Sequence, residues 1–269
     1  MAPSNTISIA GNIGSGKSSV ARRLGEITGW PIVSTGAIFR DLAARRGLTV
    51  LELNQQAETD RSIDDEVDGH LRRLAASGDR AIIDSRMAWH FVPASFKVYL
   101  VVDPLIAVER VYGAVREDER YDSVEEAAQE VLARQHVEAE RYLDLYGVHV
   151  DDWRNYDLVV DTTRIGVDDS ADLIASERGG STRATCHLDP QRLVPTASRA
   201  DEGPVRVAVD DGVAAVVSGH GAVHRARDRG DRLIPCELAA FGPGEIASLP
   251  TGGSIRRAID GVSGRTAGD

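Results

Sequence analysis

Short apolar runs alternate with amphipathic segments along the first two thirds of this chain. Apolar and β-branched residues predict five strands, at residues 7–10, 30–36, 80–84, 96–102 and 157–161. Helical spacing of apolar residues predicts a helix that begins near residue 17, helices at 37–46, 49–57, 62–76 and 168–176, and a long charged helical region over 105–146. Strands that alternate with helices predict an α/β fold, with a parallel sheet covered on both faces.

The pattern changes after Glu177, where Gly179, Gly180 and Ser181 indicate a linker. Strands are predicted over 205–209, 213–217 and 233–238, with a short helix that ends at Gly230. From Gly242 the chain is rich in Gly, Ser, Thr and Ala, which predicts poor order. We therefore expect domains at 1–177 and 183–241, followed by a tail at 242–269.

The first strand leads directly into a phosphate-binding motif. Its pattern is G-x-x-x-x-G-K-S, which in a strand–loop–helix context predicts a nucleoside triphosphate site. Glycines let backbone N–H groups point inward, and the start of the helix adds its positive dipole. Lys17 is expected to bridge the β- and γ-phosphates, and Ser18 to bind Mg²⁺. The residues expected to bind ATP are Gly11, Gly14, Ser15, Gly16, Lys17, Ser18 and Ser19.

Composition and charge narrow the class of protein. Hydrophobic residues make up 42% of the chain and charged residues 27%, as in soluble globular proteins. A net charge of −11 disfavours a broad nucleic-acid or membrane surface. Two cysteines are too few for a disulfide framework, and no leader or membrane span is recognisable. We therefore expect a cytoplasmic enzyme; the sequence does not determine its oligomeric state.

Polar residues follow two other predicted strands. Asp84, at the carboxyl end of an apolar strand, is expected to help hold Mg²⁺, although a turn-capping aspartate gives the same pattern. Arg86 comes just after it, at the sheet edge where such folds bind ligands. Ser34 and Arg40 suit a second phosphate, or alternatively an N-cap with a solvated arginine.

The charged helical region carries arginines at regular spacing. Arg134 and Arg141 are seven residues apart, so they share a helix face with Glu138 between them. A solvated face with ion pairs is the alternative interpretation. Arg116 and Arg120 flank an acidic break in the helical pattern, and we expect them to form a lid that closes over the transferring phosphoryl group.

Residues 6 to about 176 resemble the cytidylate kinases, particularly the compact archaeal type. The resemblance rests on GNIGSGKSS, IVSTGAIFRDLA, LNQQAETDRSIDDEVD, AIIDSRMAW and RYLDLYGVHVDDWRNYDLVVDTT, in order and at family-like spacing. It implies a P-loop nucleoside monophosphate kinase that uses ATP with Mg²⁺. It also implies a lid role for Arg116 and a set of residues that bind the monophosphate: Ser34, Arg40, Arg86, Arg134, Glu138 and Arg141. Ser85 replaces a glycine usual in the family, which leaves base and sugar preference open.

Residues 186 to about 240 resemble the small α+β ParB-like domains. The pattern runs from Asp211-Gly212 through Ser218-Gly219-His220 to Ile234-Pro235. The arginine region usual in these domains is replaced around Gly221. His220, His224 and the two cysteines match no common zinc spacing, so no metal site is expected there.

The sequence thus predicts phosphoryl transfer from ATP to CMP, dCMP or a modified cytidylate. Lys17, Asp84, Arg116 and Arg120 are the expected catalytic residues. One alternative is a P-loop kinase of another small metabolite. Another is a nucleotide-sensing protein whose ParB-like domain contacts a partner or DNA.

Overall fold

A computed structural model describes residues 4–48, 50–57, 60–113, 121–178, 180, 185–196, 201–210 and 212–239. The strands are β1 (Thr6–Gly11), β2 (Ile32–Ser34), β3 (Ala81–Asp84), β4 (Phe96–Val101), β5 (Leu158–Asp161), β6 (Thr185–Leu188), β7 (Val194–Pro195), β8 (Arg206–Asp210), β9 (Val213–Ser218) and β10 (Ile234–Leu238). The helices are α1 (Lys17–Thr28), α2 (Thr35–Arg46), α3 (Val50–Ala57), α4 (Ser62–Ser77), α5 (Ala88–Phe91), α6 (Pro104–Tyr112), α7 (Val124–Tyr146), α8 (Val167–Glu177) and α9 (His220–Arg229), with a 3-10 turn at Trp153–Asn155.

The strands form one sheet in the order β2-β3-β1-β4-β5-β6-β10-β8-β9-β7. The first five strands in this order are all parallel, as the alternating pattern predicts. Parallel strands place their carboxyl ends at one edge of the sheet, and in this fold class ligands bind there. The loops after β1, β2 and β3 therefore meet at that edge.

Two apolar cores lie on opposite faces of the sheet. Ile7 and Ile9 of β1 pack with Val20 and Leu24 of α1 on one face. Alternate residues of the same strands point the other way, so Ala10 and Tyr99 join the core of the second face. This two-sided burial explains why the strands are almost continuously apolar.

The long charged region after β4 consists of two helices. Asp103 caps α6 by accepting a hydrogen bond from the Leu105 N–H (2.9 Å), and Pro104 occupies its first turn. Ser123 caps α7 in the same way through the Glu126 N–H at 3.1 Å. The sequence predicted the break near 116–120, but those residues lie outside the described part of the chain.

Beyond α8 the sheet continues without interruption. Strand β6 pairs in parallel with β5, and β10 pairs antiparallel with β6. Val223 and Ala226 of α9 pack into the same core as Trp153 and Tyr156. The division into domains at 1–177 and 183–241 stays a prediction, and the structure adds that the two parts share a sheet and a core.

Within the described residues, no helix combines the length and the apolar character needed to cross a bilayer.

Candidate active site

The loop between β1 and α1 has the backbone geometry of an anion-binding nest. Gly14 and Gly16 adopt left-handed conformations, with φ of 76° and 86°. A Cβ on Gly14 would lie 2.7 Å from the Ala107 backbone, and one on Gly11 would lie 2.2 Å from the Leu100 carbonyl oxygen. Gly11 and Gly14 therefore require glycine for both conformation and close packing, and Gly16 requires it for conformation alone.

Lys17, the first residue of α1, folds its side chain back over this loop. Its Nζ donates hydrogen bonds to the carbonyl oxygens of Gly11 (2.9 Å) and Asn12 (2.8 Å). The half-buried ammonium group therefore lies beside the nest, at the place predicted for a phosphate-bridging lysine.

Ser18 and Asp84 meet at the carboxyl end of the central strands. The Ser18 hydroxyl donates to Asp84 Oδ2 at 2.6 Å. A hydroxyl and a carboxylate are oxygen ligands of the kind that Mg²⁺ accepts alongside phosphate oxygens. The residues present therefore fit the predicted metal site, and Ser19 lies next to them at the exposed start of α1.

A second set of hydrogen bonds supports the nest from behind. Arg110 of α6 donates to the Gly14 carbonyl (3.3 Å) and to the Thr162 carbonyl (2.6 Å). The Thr162 hydroxyl donates to the Ser15 carbonyl at 3.0 Å. Burial lowers the pKa of the Arg110 guanidinium, because desolvation disfavours its charge. The site prediction did not include these two residues.

A small cavity lies between the nest and α7. Gly11, Asn12 and Ile13 line it together with Arg86 and Glu138. The Arg86 guanidinium contacts the Glu138 carboxylate directly. Burial lowers the pKa of Arg86, and the positive charge of Arg134 lowers it further despite the opposing effect of Tyr142. The charge of Arg134 thus acts on Arg86, which contacts Glu138, and the monophosphate-binding roles of these three residues stay predictions.

Arg141 lies one α-helical turn from Glu138, but its charge is already engaged. Its guanidinium donates to both carboxylate oxygens of Asp64 on α4, at 2.5 and 2.6 Å. Asp64 itself lies in a stretch quoted for the resemblance, yet its role has no sequence signal, because it is one of several acidic residues at the start of α4.

The neighbouring Asp68 also joins α4 to α7. The Tyr146 hydroxyl donates to its carboxylate at 3.0 Å, and Arg72 lies 3.6 Å away. Burial raises the pKa of Asp68 to about 6, and the hydrogen bond from Tyr146 only partly opposes this effect.

Ser34 ends β2 at the same edge of the sheet, and Arg40 lies on the helix that follows. Ser34 is the register partner of Asp84 on the adjacent strand. Its hydroxyl accepts a hydrogen bond from the Ala37 N–H at 3.4 Å, so it caps α2, as the alternative interpretation anticipated. Arg40 is exposed on α2. Arg116 and Arg120, the predicted lid arginines, lie outside the described residues.

The start of α9 in the second part of the chain is occupied by a carboxylate. Asp201 accepts hydrogen bonds from the N–H groups of Gly219 (2.8 Å) and His220 (2.9 Å) and from His220 Nδ1 (2.6 Å). These bonds, the one from Gly219 first, lower the pKa of Asp201. Cys186 and Cys236 face each other across β6 and β10 as buried free thiols. Among the described residues, no group of three potential ligands forms a metal site.

The first parallel strands, the nest, Lys17 and the Ser18–Asp84 pair together define a P-loop phosphotransferase. A solved structure of an uncharacterized protein from Eubacterium ventriosum ATCC 27560 shares this fold. Its TM-score is 0.51 at 19% identity, over 65% of this chain and 99% of that one.

The model of the Cytidylate kinase-like family matches residues 6–164, and the chain belongs to this family. A cytidylate kinase from Methanothermobacter thermautotrophicus is 38% identical, over 61% of this chain and 99% of its own length. A cytidylate kinase from Natronomonas pharaonis is 43% identical, over 60% of this chain and 83% of its own length. Family membership makes this chain a nucleoside monophosphate kinase.

Proposed function

We propose that this enzyme transfers the γ-phosphoryl group of ATP, with Mg²⁺, to CMP, dCMP or a modified cytidylate. One observation carries the proposal. The start of the phosphate-binding loop, at Gly11, Asn12 and Ile13, lines the same cavity as the Arg86–Glu138 pair. An acceptor phosphate held by Arg86 would therefore lie next to the loop that is proposed to hold the donor phosphates.

On the donor side, the nest and Lys17 would hold the β- and γ-phosphates. Lys17 already makes hydrogen bonds to loop carbonyls, so its ammonium is positioned before the nucleotide binds. Ser18 and Asp84 would hold Mg²⁺, which supplies charge neutralisation at the phosphates when bound.

On the acceptor side, Arg86 and Arg134 would bind the monophosphate. The positive charge of Arg134 lowers the pKa of Arg86, and a phosphate bound beside them would relieve that repulsion. Glu138 offers carboxylate oxygens to the hydroxyl or amino donors of the nucleoside. Ser34, at the end of β2, and Arg40, on α2, would also contribute.

Arg141 requires an exchange of partners in this proposal. It is paired with Asp64, so it would bind the acceptor phosphate only by releasing that carboxylate. The exchange would couple acceptor binding to a movement of α4 relative to α7.

The chemistry needs positioning and charge rather than a general base. An acceptor phosphate is already anionic, so no proton has to be removed before it attacks in line. Lys17, Asp84, Arg116 and Arg120 are the proposed catalytic residues, and the two lid arginines would neutralise charge on the transferring group.

A panel of monophosphates incubated with ATP, with each product identified, tests the proposal. We expect CMP, dCMP or a modified cytidylate to be phosphorylated at the highest kcat/KM. Turnover of another hydroxylated metabolite instead would indicate a different P-loop kinase. ATP binding without turnover of any acceptor would favour a nucleotide-sensing role.

We also propose that residues 183–241 form a ParB-like unit. The β8–β9 hairpin, the left-handed Gly219 and the helix that follows support this proposal. Asp201 occupies the start of α9 and would compete with any external anion there. We therefore expect no salt-dependent DNA binding by the full chain. A steep salt dependence would contradict this expectation. We also propose the cytoplasm as the compartment of this enzyme.

A further inference from the structure

Two ion pairs cross between the family region and the segment beyond it. Arg192 Nη1 donates to Asp161 Oδ2 at 2.6 Å, and Arg164 donates to both oxygens of Asp189 at 2.6 Å. Each side thus supplies one arginine and one aspartate. Both carboxylates are almost fully buried, with Asp161 2% and Asp189 1% exposed. A buried carboxylate is strongly destabilising without its partner, so these pairs fix the relative position of the two segments.

Asp161 connects Arg192 to the loop that follows β5. Its Oδ1 accepts hydrogen bonds from the Thr163 N–H (3.0 Å) and hydroxyl (2.5 Å). The Thr163 hydroxyl in turn accepts the Asp103 N–H at 2.9 Å and is 3.3 Å from Arg192 Nη1. Asp103, which caps α6, is therefore joined to Asp161 and Arg192 through the Thr163 hydroxyl.

This loop is also in contact with the nest. Thr162 donates its hydroxyl to the Ser15 carbonyl, and Arg110 donates to the carbonyls of both Gly14 and Thr162. Hydrogen bonds and the peptide bond between Thr162 and Thr163 therefore link Arg192, through Asp161, to the phosphate-binding backbone.

We propose that Arg192 is a positioning residue for the phosphate-donor site, supplied by the segment outside the family match. The inference rests on the proposed use of the nest for ATP. The family model ends at residue 164, and 164 residues of this chain match 99% of the Methanothermobacter enzyme. In this chain, the loop at residues 162–163 is thus also held by a residue from beyond the family match, Arg192.

The test compares full-length Arg192→Ala and Arg192→Lys with Arg206→Ala. Arg206 lies in the same segment but makes only a 4.0 Å contact with Glu237, and its side chain is 49% exposed. The Mg²⁺–ATP dissociation constant, measured by calorimetry without acceptor, is expected to rise about three- to tenfold in Arg192→Ala, a usual size for coupling through a packed network. Arg192→Lys, which keeps the charge beside Asp161, is expected to recover part of the loss. The KM for the acceptor should stay unchanged.

Hydrogen exchange of the peptide covering residues 12–16 provides a second readout. We expect faster exchange in Arg192→Ala, and wild-type exchange in Arg206→Ala. If Arg192→Ala does not fold, Arg192→Gln, which keeps a hydrogen-bond donor, takes its place in both measurements.

Unchanged ATP affinity and exchange in the Arg192 variants, or equal changes in Arg206→Ala, would overturn the inference. Failure of the proposed function gives a different result. In that case the wild-type enzyme turns over no cytidylate, whatever effect the Arg192 variants have on ATP binding.

Discussion

Lys17 and Lys97 are the only lysines in the chain, and arginine supplies the rest of its 31 lysine and arginine side chains. A compact ammonium fits a cradle of backbone groups, whereas a planar guanidinium needs a flat, forked partner. The lysine beside the nest therefore has a chemical reason to resist replacement. At this scale, the geometry of the contacted groups determines whether lysine or arginine suits a position.

Lys17→Ala should abolish most phosphoryl transfer while leaving the fold intact. Loss of one charged group at a transferring phosphate costs about 10²–10³ in kcat, as for other preorganised electrostatic contacts. Lys97→Ala is a matched control, because Lys97 lies at the opposite end of the parallel strands, at the start of β4. Near-normal turnover by Lys17→Ala would show that the donor site is elsewhere.

Arg134→Ala should weaken use of the monophosphate far more than binding of ATP. A charge-assisted hydrogen bond is worth about 1.5–3 kcal/mol, so the KM for CMP should rise roughly ten- to a hundredfold. Arg229→Ala, which removes an exposed arginine paired with Asp231, is the control. A similar loss of affinity for both nucleotides would instead indicate a structural defect.

Residues with a fixed local pattern could be predicted, and residues defined by long-range contacts could not. The glycines, Lys17 and Ser18 follow from one contiguous motif. The pairing of Arg141 with Asp64 spans 77 positions, so nothing near either residue indicates it. The same holds for the Thr162 hydroxyl, which reaches the Ser15 carbonyl across 147 positions.

At the scale of elements, α4 and α7 are joined by two acidic residues one turn apart on α4. Asp64 pairs with Arg141, and Asp68 accepts a hydrogen bond from Tyr146. These contacts hold together two helices that, in the proposed function, both border the acceptor. A change of charge on either aspartate therefore alters how firmly the two helices are held.

Asp68→Asn should raise the melting temperature at pH 8 but not at pH 4. The pKa of Asp68 is raised to about 6, so its favourable contribution is present at low pH and is lost as pH rises to about 6. Asparagine stays neutral and can still accept from Tyr146. Asp65→Asn, on the exposed face of the same helix, should show no such gain at pH 8. Equal melting curves for Asp68→Asn and wild type at both pH values would contradict the prediction.

Longer elements could be predicted from apolar spacing, but β6 and β7 could not. Strand β6 has four residues, and two of them, Thr185 and His187, are polar. It is a strand because β5 and β10 supply hydrogen-bonding partners on both sides. Such a strand is defined by its neighbours rather than by its own sequence.

At the scale of the whole molecule, one sheet joins the family region to the rest of the chain. Removing everything after residue 177 would expose the edge of β5 and remove Cys186 and Leu188 from the shared core. The family region nevertheless contains every proposed phosphate-binding residue. The Methanothermobacter relative is also matched over 99% of its length by this part of the chain.

A fragment ending at residue 177 is expected to keep phosphoryl transfer but to bind ATP more weakly, because it lacks Arg192. It is also expected to melt at a lower temperature than the full chain. The complementary fragment is small and loses its partner strand, so it should fold poorly and have no kinase activity. Calorimetry and a coupled assay on both fragments check this. A folded 1–177 fragment that bound ATP but acted on CMP only after the second fragment was added would show a shared active site.

The two outermost strands of the sheet are also its shortest. Strand β2 has three residues, and β7 has two, one of which is Pro195. A long open edge recruits strands from other molecules, and proline cannot donate a hydrogen bond to a newcomer. The two short edge strands thus leave few unpaired backbone groups to which a strand of another molecule could pair. We therefore expect that association by strand addition at either end of the sheet is disfavoured.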